Sequence, residues 1–141
     1  MSGSERVRRV GFTASRQGPT ARQFERLLSE IASRGVREAH HGDCIGGDEE
    51  IHTVVKAKGW RVVAHPALGV GGQRAYCEGC DEIRDPLPPL DRNSNIIAET
   101  DEMIAMPDGP ERLRSGTWST IRRARKAGKP LTIIWPDGSV S

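Results

Sequence analysis

Residues 40–50, with the sequence HHGDCIGGDEE, concentrate side chains that can do chemistry. Histidine binds metal ions or transfers protons, and a carboxylate acts as a base or accepts hydrogen bonds from sugar hydroxyls. Glycine lets a ligand approach the backbone closely. The composition therefore leaves three interpretations: a metal site, a catalytic carboxylate cluster, or a loop that holds a ligand.

The spacing of the candidate metal ligands argues against the first interpretation. If the residues before Gly42 form a strand, the adjacent His40 and His41 point to opposite faces and do not easily share an ion. Cys77 and Cys80 have the CxxC spacing of zinc sites, but the sequence has neither a second CxxC pair nor a matching HxxxH pair. We therefore expect no bound metal and no other cofactor.

Two further segments have the composition of phosphate-binding loops. Residues 13–16 (TASR) and 114–117 (RSGT) each combine hydroxyl side chains with an arginine, and RSGT opens a predicted helix. A helix N-terminus offers unpaired backbone N–H groups, and a guanidinium can grip phosphate through two parallel hydrogen bonds. The alternative is that Ser115 or Thr117 only caps the helix. Because two such loops follow nonadjacent strands, we interpret both as ligand loops.

The elements that position these segments alternate between strand-like and helix-like patterns. Strands are predicted at residues 7–12, 36–41, 60–66, 102–107 and 130–136, and helices at residues 20–35, 48–59, 90–100 and 118–128. Thr20 is the expected N-cap of the first helix, with Gly35 just past its end. The alternation predicts a single α/β domain over residues 1–141, with about five mostly parallel strands and helices on both faces of the sheet.

Residues 67–89 interrupt this alternation. They carry five glycines or prolines before Leu87 and show no clear period, so we predict a long loop there. Two interpretations stand for it. The loop either closes over a bound ligand, with Arg74 and Tyr76 contributing, or is a mobile surface segment.

The polar loop residues fall where an open parallel sheet binds its ligands, beyond the carboxyl ends of the strands and near the point where strand order reverses. The candidate ligand-binding residues are Thr13, Ser15, Arg16, Gly42, Asp43, Gly46, Asp48, His65, Asn93, Pro107, Arg114, Ser115, Gly116 and Thr117. Asp43 and Asp48 are expected to accept hydrogen bonds from ribose hydroxyls. Asp48 is equally well suited to cap the helix that follows.

The overall composition narrows the class of protein. The chain has a net charge of +2, three cysteines, and no apolar run near the roughly 20 residues that span a bilayer. Its first residues are not followed by an apolar signal segment. These features favour a cytoplasmic protein with no membrane partner. The basic residues of segment 122–129 form either a solvated helix face or a patch for a phosphate backbone, so nucleic acid is a less favoured partner.

Taken together, the segments GFTASR, HHGDCIGGDEEIH, HP, RN and RSGTWSTIRRARKAGKP resemble one family pattern across almost the whole chain. The pattern resembles the SLOG superfamily, the Rossmann-like group that includes the lonely-guy phosphoribohydrolases and the DNA-processing protein A fold. The likeness is to its short members from phages and bacteria. The resemblance implies a Rossmann-like domain, a nucleotide or nucleotide-derived ligand at the strand ends, and a homodimer.

One departure from the family pattern bears on activity. Lonely-guy enzymes carry a PGGxGTxxE motif whose glutamate takes part in cleaving an N-glycosidic bond. Gly116 and Thr117 match the GT of that motif, but Thr120 stands where the glutamate would be. Because threonine cannot supply a carboxylate, the resemblance supports phosphate binding and leaves hydrolysis open.

Three hypotheses about function follow. The first is a protein that binds a nucleotide-like small molecule. The second is a nucleoside 5′-phosphate N-glycosidase in which Asp43 or Asp48 replaces the missing glutamate as the catalytic carboxylate, with His65 assisting. The third is nucleic-acid binding, in the manner of the DNA-processing relatives.

Overall fold

Strands and helices alternate along the described residues, 7–69 and 73–141, of the computed structural model. The described strands are β1 (Arg9–Ala14), β2 (Glu38–His41), β3 (Arg61–Ala64), β4 (Glu82–Ile83), β5 (Glu102–Met106) and β6 (Leu131–Ile133). The described helices are α1 (Ala21–Ser33), α2 (Gly47–Ala57), α3 (Pro89–Glu99) and α4 (Gly116–Lys126).

All neighbouring strands are parallel, and their order in the sheet is β4-β3-β2-β1-β5-β6. The chain builds outward from β1 to β4 and then returns to place β5 on the other side of β1. Strand order therefore reverses between β1 and β5. This is the position at which open parallel sheets bind ligands.

The helices cover both faces of the sheet. Leu27 and Ile31 of α1 share one buried cluster with Ile51 and Val55 of α2. The helices α3 and α4 contribute to two smaller clusters against β5 and β6. The predicted α/β class, with a parallel sheet and helices on both faces, is confirmed. None of the helices in the described part of the chain has the length and apolar composition needed to span a bilayer.

Helix α1 begins and ends where the sequence predicts. The Thr20 hydroxyl accepts a hydrogen bond from the backbone N–H of Gln23, and the Gln23 side chain accepts one from the backbone N–H of Thr20. This reciprocal pair satisfies two N–H groups that the helix leaves unpaired. Gly35 adopts a φ of +67° just past the helix end, a conformation that glycine takes without steric cost.

The long loop predicted at residues 67–89 is the part of the fold that the sequence gets wrong. Within its described residues, β4 pairs in parallel with β3 as an edge strand. Ala67 and Leu87 also form an isolated bridge, and Arg74 forms another with Cys44. Because β4 is two residues long, it leaves no alternating pattern by which a sequence could reveal it. The centre of this segment, residues 70–72, lies outside the described residues.

The loop after β2 packs against the loop after β1 without side chains between them. The backbone N–H of Gly47 donates to the carbonyl oxygen of Ser15 at 2.9 Å. A Cβ atom on Gly46 would overlap the backbone of Arg16, and a Cβ on Gly47 would overlap the side chain of Ala14. Both glycines are therefore required for this contact.

We expect Gly46→Ala to destabilise the protein by about 3 kcal/mol or more, because it adds a steric overlap with the Arg16 backbone to the strain of a φ of +91°. Gly59→Ala is the matched control, since Gly59 has a similar φ of +79° and nothing within 4 Å of its Cβ position. The control should lose only about 1 kcal/mol. Urea denaturation measures both losses, and equal losses would mean that the two loops are not in contact.

Candidate functional site

A cleft of about 310 Å³ opens beside the point where strand order reverses. Most of the predicted site residues line it. These are Thr13, Ser15, Arg16, Gly42, Asp48, Asn93, Arg114, Ser115, Gly116 and Thr117. The fold thus brings together the two arginine-bearing loops and part of the segment HHGDCIGGDEE.

The N-terminus of α4 forms one wall of the cleft. Ser115 is the N-cap, and its hydroxyl accepts a hydrogen bond from the backbone N–H of Trp118 at 3.2 Å. The capping role considered for Ser115 is therefore real. Gly116 has nothing within 4 Å of its Cβ position, so space is open in front of the first turn. The first backbone N–H groups of a helix have no partner within the helix, which leaves those of Gly116 and Thr117 available to a ligand.

Positive charge predominates in the cleft. Arg16, Arg92, Arg112 and Arg114 line it, against the carboxylates of Asp48 and Asp108. Arg112 donates to both carboxylate oxygens of Asp108, at 2.5 and 3.2 Å, which lowers the pKa of that carboxyl group. Arg16 and Arg114 are exposed and form no ion pair with any other residue that the structure describes.

Asp48 is a buried carboxyl group in the cleft wall. Its Oδ2 atom accepts hydrogen bonds from the backbone N–H groups of Gly42 and Cys44, both at 3.1 Å. The N-cap of α2 is Gly46, so the capping role predicted for Asp48 is wrong. Burial raises the pKa of Asp48 to about 6, although the two backbone donors and the Arg92 guanidinium act in the opposite direction.

Arg92 of α3 donates hydrogen bonds to oxygen atoms of three different residues at the cleft. Its NH1 group donates to the carbonyl oxygens of Gly42, at 2.8 Å, and His65, at 3.1 Å. Its Nε donates to Oδ1 of Asn93 at 2.7 Å. Arg92 therefore joins α3 to the ends of β2 and β3. Sequence reasoning singled out Asn93 and missed Arg92, although the RN pair belongs to the family pattern.

The other lining residues that sequence reasoning missed are Phe12, Ala14, Gln17, Cys44, Ile96, Asp108 and Arg112, and Thr120 was considered only as a replacement for glutamate. The Thr120 hydroxyl is buried and donates to the carbonyl oxygen of Gly116 at 3.0 Å. This hydrogen bond stabilises the first turn of α4, and the hydroxyl group of Thr120 cannot replace the carboxylate of a glutamate as a base.

Asp43 lies outside the cleft lining. Its carboxylate accepts hydrogen bonds from Nε of Arg74 and from the backbone N–H of Cys77, both at 2.9 Å. The guanidinium of Arg74 in turn lies 4.4 Å from the centre of the Tyr76 ring. Asp43 thus anchors residues 73–77 to the end of β2, and each of its carboxylate oxygens already accepts one hydrogen bond.

The remaining predicted residues also lie outside the lining. Gly46 packs on the Arg16 backbone, and the carbonyl oxygen of Pro107 accepts a hydrogen bond from the buried amide of Gln23 at 2.8 Å. His65 pairs with His40, with 2.8 Å between its Nε2 atom and Nδ1 of His40.

The structure of this chain is similar to solved structures of other proteins that share little of its sequence. No protein-family model matches the sequence, and no curated protein matches it at a significant level. A molybdenum cofactor binding protein from Rippkaea orientalis is 20% identical, with a TM-score of 0.72 over 94% of this chain and 78% of that one. The protein TM1055 is 19% identical, with a TM-score of 0.65 over 89% and 72% of the two chains.

The third similar structure is DNA processing protein A from Helicobacter pylori, which is described as binding single-stranded DNA. It is 22% identical, with a TM-score of 0.60 over 90% of this chain and 65% of that one. At these identities the likeness concerns the fold and not the ligand. The chain therefore shares the Rossmann-like fold of these three structures, which is the fold that the resemblance to the SLOG superfamily implied.

Proposed function

We propose that the cleft binds a nucleotide or a nucleotide-derived small molecule through its phosphate groups. The observation that carries the proposal is the grouping of Arg16, Arg114 and the open N-terminus of α4 in one cleft. Two guanidinium groups without ion-pair partners among the described residues, beside a helix N-terminus, complement a phosphate in both charge and hydrogen bonding.

The shape of the cleft favours a small ligand. Its volume of about 310 Å³ is at the lower end of the range typical of small-molecule sites. Asp48 of α2 and Asn93 of α3 also line the cleft, and in this proposal they contact the sugar or base of a ligand whose phosphate lies against α4. The similar structure described as a molybdenum cofactor binding protein agrees with this kind of partner.

A nucleic-acid ligand has less support. The basic segment 122–129 is partly engaged: Arg122 pairs with Glu111 at 3.1 Å, and Lys129 donates to the carbonyl oxygen of Thr100 at 2.5 Å. The guanidinium of Arg125 lies 5.9 Å from the centre of the Trp118 ring. These cations are directed at their own fold and do not line the cleft.

We expect Arg114→Gln to weaken nucleotide binding by about tenfold or more, because the loss of a charge-assisted hydrogen bond costs about 1.5–3 kcal/mol. Titration calorimetry with nucleoside mono-, di- and triphosphates and cyclic nucleotides measures the effect. Arg37→Gln is the matched control, since Arg37 is an arginine outside the cleft and donates to the carbonyl oxygen of Val36. Absence of binding across the panel by the unmodified protein would refute the proposal.

Asp48 gives the N-glycosidase hypothesis its remaining support. It is a cleft carboxyl group whose pKa, about 6, suits proton transfer near neutral pH. Asp43 is held by Arg74 and Cys77, and Thr120 is held by Gly116. If the protein hydrolyses its ligand, Asp48 is therefore the carboxylate to test.

In the hydrolytic alternative, incubation with nucleoside 5′-monophosphates releases free base, which chromatography detects. Asp48→Asn should then lower the rate by at least about a hundredfold, the typical contribution of a general acid or base. Asp43→Asn should leave most of the rate, because that side chain does not line the cleft. If Asp48→Asn retained full turnover, Asp48 would have no catalytic role.

Protonation of Asp48 also makes stability depend on pH. Below about pH 4 the carboxyl group is protonated in both the folded and unfolded states, whereas between about pH 4 and 6 only the folded protein holds the proton. The free energy of unfolding should therefore fall as pH rises through this window, by roughly 3 kcal/mol, and level off above it.

Urea denaturation at several pH values measures this effect. Asp48→Asn should remove the Asp48 contribution between pH 4 and 6, whereas Asp85→Asn, at an exposed position, should not. An Asp48→Asn variant that follows the pH profile of the unmodified protein would show that Asp48 is ionised throughout.

A further inference from the structure

The fold brings two groups of potential metal ligands together within the described residues. One consists of His40, His65 and Glu99, and the other of His41, His52 and Cys80. In each group, one ligand atom from every residue lies within 4.8 Å of the others. The sequence predicted no metal site because it showed adjacent histidines and one CxxC pair, whereas each group combines residues from separate elements.

The group around His41 is complete without an ion. The backbone N–H of Asp43 donates to Nδ1 of His41 at 2.9 Å, so the proton of this ring is on Nε2. That N–H donates to Nδ1 of His52 at 3.1 Å, and Nε2 of His52 donates to the carbonyl oxygen of Glu78 at 2.6 Å. The thiol of Cys80 donates to the carbonyl oxygen of Cys77 at 3.3 Å. Every ring nitrogen in this chain of hydrogen bonds already has a partner.

In the group around His40, the histidine on β2 directs a lone pair at its partner ring, whereas His41 directs an N–H at His52. Oε2 of Glu38 lies 2.7 Å from Nε2 of His40, and a carboxylate accepts hydrogen bonds, so the proton of this ring is on Nε2. Nδ1 of His40 therefore presents its lone pair to Nε2 of His65, 2.8 Å away, and lies 4.0 Å from Oε1 of Glu99. A carboxylate behind the outer nitrogen of a histidine is the usual support of a metal-binding imidazole.

The distances suit a small ion. Two ligand atoms bound at about 2.0–2.1 Å to a tetrahedral zinc ion lie about 3.3 Å apart. The observed separations of 2.8 and 4.0 Å lie on either side of that value. The ligand atoms of His65 and Glu99 lie within 4.8 Å of each other. Entry of an ion would need side-chain shifts and a change of His65 tautomer that moves its proton from Nε2 to Nδ1.

Three carboxylates and three guanidinium groups surround the group. The carboxylates are those of Glu38, Glu82 and Glu99, and two of the guanidinium groups are those of Arg61 and Arg84. The guanidinium of Arg92, which donates to the His65 carbonyl at 3.1 Å, balances the third carboxylate, so the charges around the neutral histidines cancel. Arg61 forms an ion pair with Glu38 at 3.2 Å and Arg84 donates to Glu99 at 2.8 Å, so both carboxylates are fixed in position.

We propose that His40, His65 and Glu99 form a binding site for a divalent transition-metal ion of the Zn²⁺ class. Nδ1 of His40, Nε2 of His65 and a carboxylate oxygen of Glu99 are the ligands, and Glu38 and Arg84 are positioning residues. Water completes the coordination. The ion ties the middle of β2 to the end of β3 and to the last turn of α3. Because the His65 carbonyl also binds Arg92, the site adjoins the cleft without being part of its lining.

The test uses the untagged full-length protein after chelator treatment, titrated with ZnCl₂ in a calorimeter and with CoCl₂ in a spectrophotometer. We expect one equivalent to bind, and the Co²⁺ complex to show visible bands without an intense thiolate-to-cobalt band. Glu99→Gln, at a partly exposed position, keeps an oxygen that can accept from Arg84 and should weaken Zn²⁺ binding by at least a hundredfold. His65→Gln should do the same, with circular dichroism used to check its fold.

Glu38→Gln tests the positioning role and should weaken Zn²⁺ binding by about 10- to 100-fold while shifting the visible Co²⁺ bands. His52→Gln and Cys80→Ser, in the second group, are the matched controls and should bind Zn²⁺ as the unmodified protein does. An absence of stoichiometric binding would overturn the proposal, as would unchanged affinity in Glu99→Gln. Loss of binding in Cys80→Ser, with a thiolate-to-cobalt band in the unmodified protein, would assign the ion to the second group instead.

Discussion

The contact between the backbones of Gly46 and Arg16 is the constraint on which the cleft depends. It brings the loop after β2 against the loop after β1, with no side chain between them. The hydrogen bond from Gly47 to Ser15 fixes the same approach. Arg16 is thereby held at the edge of the cleft that the N-terminus of α4 bounds on its other side. A bulkier residue at either glycine position would separate the two loops, and the parts of the proposed phosphate site would no longer share one cavity.

A second constraint acts on the single residue Gly42. Its N–H donates to the buried carboxyl group of Asp48, and its carbonyl oxygen accepts from the guanidinium of Arg92. Ionisable groups are costly to bury unless they are hydrogen-bonded, and here each of them uses backbone partners. A Cβ on Gly42 would overlap the Arg92 side chain, so this arrangement also requires glycine. This part of the cleft wall is therefore ordered before a ligand binds, which lowers the entropy cost of ordering side chains on binding.

The sequence predicted the parts of the fold that are encoded locally. Helical spacing, the Thr20 cap and the alternation of elements predicted the α/β class, and the polar residues near the strand ends predicted about half of the residues that line the cleft. It failed where a residue's role depends on what it meets across the fold. Asp43 has the chemistry of a sugar ligand but lies against Arg74, and Arg92 has the chemistry of a surface residue but lies against two strand ends. Such partners are chosen by the register of the sheet and the approach of α3, neither of which local patterns record.

The buried amide of Gln23 has a consequence for how this fold can vary. One nitrogen on α1 donates to the carbonyl oxygens of Pro107 and Ile134, at 2.8 and 2.9 Å, and so joins the ends of two neighbouring strands, β5 and β6, to the helix that follows β1. These two hydrogen bonds hold the ends of the strands from the side of α1 and do not involve the loop that follows Pro107. The exposed residues 110–113 can therefore change in length or charge without displacing the sheet, and ligand preference can diverge while the framework stays the same.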